Sequence, residues 1–259
     1  MKHVRPPVVY AKPPVVEVAL TFNFEPSDET PGWSEGIGSE FVKVVQSFSN
    51  YPKQGKVINQ NIQVISDIKN GVSYANMPRH MVKEVNVKNN EETEILGVGK
   101  NYLTFHKIRS GIDHPRYLPV AEKFFEYLPH YRNFWKPKRI QNIVLSYVNI
   151  IEIPEVEFDI DKYFILGVQF PDEMGKISQF ETHLIFQPEM ECGIGLDLRF
   201  SKVPITIPNQ NKTLFYLFGN YYKTVCDETQ LNVEAEKIHQ YARQFFDKCL
   251  TDECTKLFE

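Results

Sequence analysis

The stretch Val15-Val-Glu-Val-Ala-Leu-Thr-Phe-Asn-Phe24 decides how the chain is read. Val16, Val18, Leu20, Phe22 and Phe24 fall on one side of an extended backbone; Val15, Glu17, Ala19, Thr21 and Asn23 fall on the other. A period of two marks a strand with one face on a core and a more polar face behind it. β-branched and aromatic side chains suit that half-buried pleat. Pro26 ends the run, because proline cannot donate to a ladder.

Upstream, residues 1–14 carry Pro6, Pro7, Pro13 and Pro14, which favour an extended arm over a helix. Downstream, after a loop at 27–36, Phe41, Val44, Val45 and Phe48 recur at helical spacing, predicting a helix over 37–49. Residues 61–108 read as short strands, with turns at Asn70-Gly71 and Asn89-Asn90 and a break at Gly97-Val-Gly99. A second helix is predicted over 118–135, with Val120, Phe124, Phe125, Leu128 and Tyr131 on one side; Pro129 should kink or divide it.

At Pro137 the pattern starts again. Ile140 to Ile153 reads as a long strand, Asp159 to Phe164 as a short helix, and 165–169, 179–187, 192–201 and 212–225 as strands. Ile194, Leu196, Leu198 and Phe200 alternate with Gly195, Asp197, Arg199 and Ser201. A long helix closes the chain on a stripe of Ala235, Ile238, Ala242, Phe245, Phe246, Cys249 and Leu250. The expected fold class is therefore α+β, with two similar halves, 15–136 and 137–259, behind the 1–14 arm. Each half is expected to pack a mainly antiparallel sheet against a longer helix, an order that suggests internal duplication.

Composition narrows the function classes. The 259 residues carry a net charge of −4, 42% hydrophobic and 13% aromatic residues, and so describe an ordinary globular protein. The balance does not favour nucleic acid or an anionic membrane. No apolar run is long enough to span a bilayer. Met1-Lys-His-Val-Arg-Pro-Pro7 lacks the apolar segment of a secretion signal, so a cytoplasmic location with reduced thiols is expected. Cys192, Cys226, Cys249 and Cys254 form no metal-ligand spacing.

No phosphate loop, dinucleotide fingerprint, nucleophile elbow, zinc-protease or kinase motif occurs. No catalytic residue, metal or cofactor is therefore expected, and the reading leans away from an enzyme. Among the histidines, His239 follows the core residue Ile238 on the last helix and should bond across to a strand. Asn149 sits on the apolar side of the central strand with Ile143, Leu145, Tyr147 and Ile151. A buried amide without partners costs about 1–3 kcal/mol, so Asn149 must find hydrogen bonds, mark a bulge or meet a ligand. Arg132, Lys136, Lys138 and Arg139 surround Phe134 and Trp135. That mixture suits single-stranded nucleic acid, or simply a helix C-terminus before a proline stop.

Three segments together carry a resemblance. They are Pro13-Pro14-Val-Val-Glu17, Leu145-Ser-Tyr147-Val-Asn149-Ile-Ile-Glu-Ile-Pro154, and the spacing His239, Ala242, Phe246, Leu250. In order and spacing the chain resembles a sporadically distributed family of uncharacterised prokaryotic proteins, from residue 13 to the last helix. Ser146 and Ile150 stand where that family tends to have arginine. The family brings no enzyme activity. Its patchy distribution is like that of mobile defence and conflict genes, an association and not a mechanism.

The expected function is a non-catalytic interaction protein: a subunit, sensor or regulator in a prokaryotic defence or conflict system. Its protein partner would be encoded nearby, and Glu17, Asp197 and Arg199 would lie on an uncovered sheet face. The first alternative is a small-molecule binder with a pocket between helix and sheet, lined by aromatics such as Phe124, Phe125, Tyr147, Phe245 and Phe246; Tyr147, Asn149 and His239 are also candidate binding residues. The second is RNA binding or cleavage through Arg132, Trp135, Lys136, Lys138 and Arg139. Nucleic acid is not the favoured partner, and no membrane partner is expected.

Overall fold

The structure, a computed structural model, describes residues 10–32, 35–47, 51, 53–58, 65–67, 73–74, 83–154, 160–165, 181–188, 193–203 and 212–259. The first half runs β1 (Val15–Glu25), α1 (Glu35–Gln46), β2 (Lys53–Ile58), β3 (Ile65–Asp67), β4 (Ser73–Tyr74), β5 (Lys83–Lys88), β6 (Glu94–Gly99), β7 (Tyr102–Ile108) and α2 (Tyr117–Trp135). The second runs β8 (Arg139–Ile153), α3 (Ile160–Tyr163), β9 (Glu181–Phe186), β10 (Ile194–Val203), β11 (Thr213–Thr224), α4 (Leu231–Cys249) and α5 (Asp252–Thr255). The class is α+β, as the patterning implies.

Strands from both halves join in one antiparallel sheet of nine, ordered β2-β5-β6-β7-β1-β8-β11-β10-β9. The first strand of each half meets at the centre, the last strand of each half lies beside it, and the earlier ones lie progressively further out. Where β1 meets β8, the register shifts between Val15 and Glu17, and again between Asn23 and Phe24. β3 and β4 form a separate two-stranded ribbon.

The alternation in β1 comes out as read. Val18, Leu20, Phe22 and Phe24 are buried, and they face α2 together with Leu103 and Phe105 of β7. Phe22 meets Phe124 at 4.5 Å between ring centroids, and Phe24 stacks on Tyr131 at 4.6 Å. α1 adds Phe41, edge-on to Tyr131 and Phe134. Fully burying a ring of this kind contributes about 1.5–3 kcal/mol. In the second half Phe164, Phe200 and Phe215 cluster at the end of β10 and β11, beneath α3. Among the described residues, no helix packs on the opposite face of the sheet.

Two expectations are corrected. Pro129 does not divide α2, which runs unbroken for 19 residues. The proline sits on the exposed side, where a carbonyl deprived of its helical partner can be hydrated. Four reduced thiols were also expected, but Cys226 is disulfide-bonded. Cys249 and Cys254 are free, and burial pushes both thiols up to about 12. The Asn89 turn is present: its side-chain oxygen accepts the Thr93 and Glu94 N–H groups. The predicted Asn70-Gly71 turn, the strand at 165–169, Asp159 and the first nine residues of the arm lie outside the described residues.

Candidate functional site

A cavity of about 490 Å³ lies between α4 and the second half of the sheet. Its floor is set by strand register. Tyr147 and Asn149 are two apart on β8 and so share its inward face. Across the ladder, Gly219 of β11 lies opposite Tyr147, and Leu217 lies opposite Asn149. Leu198 of β10 continues the Gly219 row. Glycine there leaves the floor without a side chain; a Cβ at this position would lie 2.9 Å from the Tyr221 ring.

Glu236, His239, Ala242, Arg243, Phe246 and Asp247 form the roof, and their spacing is that of one helix face. Pro115 to Leu118, leading into α2, closes one side. The arm closes another, through Tyr10, Pro13, Pro14 and Val15. Tyr10 donates to Asp247 Oδ1 at 2.8 Å and packs edge-on against Phe246 and Phe258. The backbone tethers the arm as well: Lys12 N–H donates to the Phe258 carbonyl, and Ile150 N–H donates to the Pro14 carbonyl, both at 2.9 Å.

His239 is the best-held polar group in the site. Its Nδ1 lies 2.7 Å from the Tyr147 hydroxyl, and its ring stacks on Tyr117 at 4.2 Å and 8°. Burial holds the imidazole below its usual pKa; Glu236 works against that shift and Arg243 adds to it. Burial holds the Tyr147 and Tyr117 hydroxyls well above the usual phenol range. Both groups are thus neutral near pH 7. Either the Tyr147 hydroxyl donates to Nδ1 and the ring proton sits on Nε2, or Nδ1–H donates to the hydroxyl and Nε2 is an acceptor. Asn149, 4% exposed, donates from Nδ2 to the Leu217 carbonyl at 3.3 Å. Its Oδ1 accepts from no described group. The site can therefore bury an apolar body, accept a hydrogen bond at Asn149 Oδ1 and make another at His239 Nε2.

Tyr147, Asn149 and His239 thus come together. Glu17, Asp197 and Arg199 do not join them. These three lie on the opposite sheet face, where register aligns Glu17, Val148, Phe218 and Arg199 in one row across four strands. His106 Nδ1 lies 2.6 Å from Glu17 Oε1, and its Nε2 lies 3.0 Å from Thr104 Oγ1. Asp197 similarly holds His183 at 2.8 Å, with Arg199 at 3.9 Å.

The basic cluster is corrected as a stacking patch. Trp135 is fully buried, packed between Tyr131 and Phe134, and offers no face to a base. Arg132 pairs with Glu228, Lys136 with Glu29, and Lys138 and Arg139 with Glu25. Lys136 adopts the left-handed conformation that ends α2, so the segment is a helix terminus before Pro137.

Tyr10, Tyr117, Gly219 and Arg243 were missed by sequence reasoning. Arg243 was within reach, because it lies one helical turn beyond His239 on the same face. For Tyr10 and Gly219 the local sequence carries no such signal. Among the described residues no three His, Cys, Asp or Glu side chains gather as a metal site. No described helix is long and apolar enough to cross a membrane. Neither a protein-family model nor a curated protein sequence matches the chain.

Proposed function

We propose that the protein is a non-catalytic binder of a small molecule held between α4 and the sheet. One observation carries the reading: a cavity of about 490 Å³ between α4 and the sheet has a mostly apolar lining into which Asn149 and His239 set a few polar atoms. Ligand sites are concave and mostly apolar, with a few placed polar groups, and commonly span 300–1,000 Å³. The test is native mass spectrometry of the protein purified from its own host. A bound small-molecule mass is expected, and it should be missing from Ala242→Leu, which fills the roof. A bare chain, with melting unshifted across a library of small molecules, would overturn the reading.

A second reading, a protein partner on the other sheet face, is favoured by the alignment of Glu17 and Arg199 in one row of that face. The two readings combine as a sensor or regulator in a prokaryotic defence or conflict system, the role suggested by the family resemblance. Arg199→Glu should then abolish co-purification of the partner and leave ligand retention intact. Retention of the partner by that variant would remove the second reading and spare the first.

A further inference from the structure

We infer that the cavity takes an uncharged amphipathic molecule, which hydrogen-bonds to the Asn149 amide and to His239 Nε2. This inference rests on the small-molecule reading above and adds the chemical class of the ligand.

The apolar body follows from Val15, Leu198, Leu217 and Phe246, which line the space. The polar demands follow from what is already used. Asn149 commits one Nδ2 hydrogen to the Leu217 carbonyl and keeps a second N–H and Oδ1 for a ligand. His239 commits Nδ1 to the Tyr147 hydroxyl and keeps Nε2, a donor or an acceptor according to the tautomer. Burying an ionised group requires a partner of opposite charge. The lining provides no surplus: Arg116 and Arg243 are balanced by Glu236 and Asp247, and Asp247 already accepts from Tyr10. A neutral ligand with one donor and one acceptor meets every condition. An anion or a cation would enter this balanced lining without a surplus counter-charge.

The test uses the full chain and N-phenyl-1-naphthylamine, a neutral apolar fluorophore with one N–H. Its fluorescence should rise on binding to the protein and should not rise with Ala242→Leu. If that variant fails to fold, Phe246→Trp reduces the same space. Displacement is then measured near neutral pH with decan-1-ol, decanoate and decylammonium, which share one chain and differ in head-group charge. Decan-1-ol should displace the fluorophore at a concentration about tenfold lower than either ion, a gap of about 1.4 kcal/mol. Asn149→Leu should narrow that gap by weakening the alcohol.

Fluorescence that does not respond to the protein, or that is equal with the filled variants, defeats the pocket reading itself. Fluorophore binding that the filled variants abolish, combined with ions displacing as well as the alcohol, defeats only the neutral-ligand inference. That inference also fails, alone, if none of the three compounds displaces the fluorophore or if Asn149→Leu leaves the gap unchanged.

Discussion

Helices α2 and α4 are each 19 residues long and lie over the same face of one sheet, yet they pack differently. α2 buries eight side chains, five of them aromatic. α4 buries Leu231, Ala235, Ile238, Ala242 and Cys249, none aromatic. Under α2 the rings of Phe22, Phe24, Phe105, Phe124 and Tyr131 fill the seam. Under α4 an alanine roof faces a glycine floor at Gly219, and the space between stays open. The same layout therefore yields a solid half and a hollow half, and the polar residues gather in the hollow one. Interiors pack at crystal-like density, and the hollow half departs from that with a pocket open to solvent on one side.

The largest expected effect tests the solid side. Trp135→Ala should cost about 3–5 kcal/mol in urea unfolding, as removal of a fully buried aromatic does. Phe246→Ala, at the edge of the cavity, should cost well under half of that. Equal costs would mean that the two halves are packed alike.

A matched pair of enlargements sharpens the contrast. Ala121 on α2 and Ala242 on α4 are both buried alanines, 6% and 2% exposed. Ala121→Leu forces a larger side chain into filled space and should destabilise by about 1–3 kcal/mol. Ala242→Leu has a cavity to enter and should change stability by less than about 1 kcal/mol while removing ligand binding. If Ala242→Leu proved the more damaging of the two, the cavity would not be open in solution.

A smaller effect probes the polar side of the hollow half. Tyr147→Phe keeps the ring and removes the hydroxyl that is hydrogen-bonded to His239 Nδ1. A loss of about 0.5–1.5 kcal/mol is expected, the usual net worth of such a hydrogen bond. No loss at all would mean that the Tyr147 hydroxyl is not what holds the imidazole.

Which parts of this contrast were legible in the sequence follows from the range of each signal. β1 was readable because alternation is local: each residue from Val15 to Phe24 declares its own face. The stripe on α4 was readable for the same reason, and it placed His239 beside the core. The cavity was not readable, because it depends on register between β8 and β11 setting Gly219 opposite Tyr147, a relation of residues far apart in the chain. Trp135 was misjudged for the opposite reason. Its basic neighbours drew it into a surface patch, although its position four residues after Tyr131 already put it on the buried side of α2. Glu17 and Asn149 are both candidate binding residues, and the pairing of β1 with β8 sends them to opposite faces. A shift of one residue in register exchanges the two faces, and composition carries no information about register.

The finest test of the contrast is titration. Burial holds the folded-state pKa of His239 below its unfolded value of about 6.5. Above that value the ring is neutral in both states, and its contribution to stability is fully present. As pH falls below about 6.5 the unfolded chain takes up a proton that the folded chain resists, so stability declines until the folded pKa is passed. Unfolding free energy measured from pH 7.5 down to 5 should therefore slope downward, and His239→Gln should flatten the slope. The variant keeps a neutral polar side chain and removes the titrating ring. A saturating uncharged ligand should steepen the decline, because it binds the neutral imidazole of the folded state and must be released when that ring is protonated. An unchanged slope in the variant would place the titrating group elsewhere and separate His239 from the desolvated wall of the hollow half.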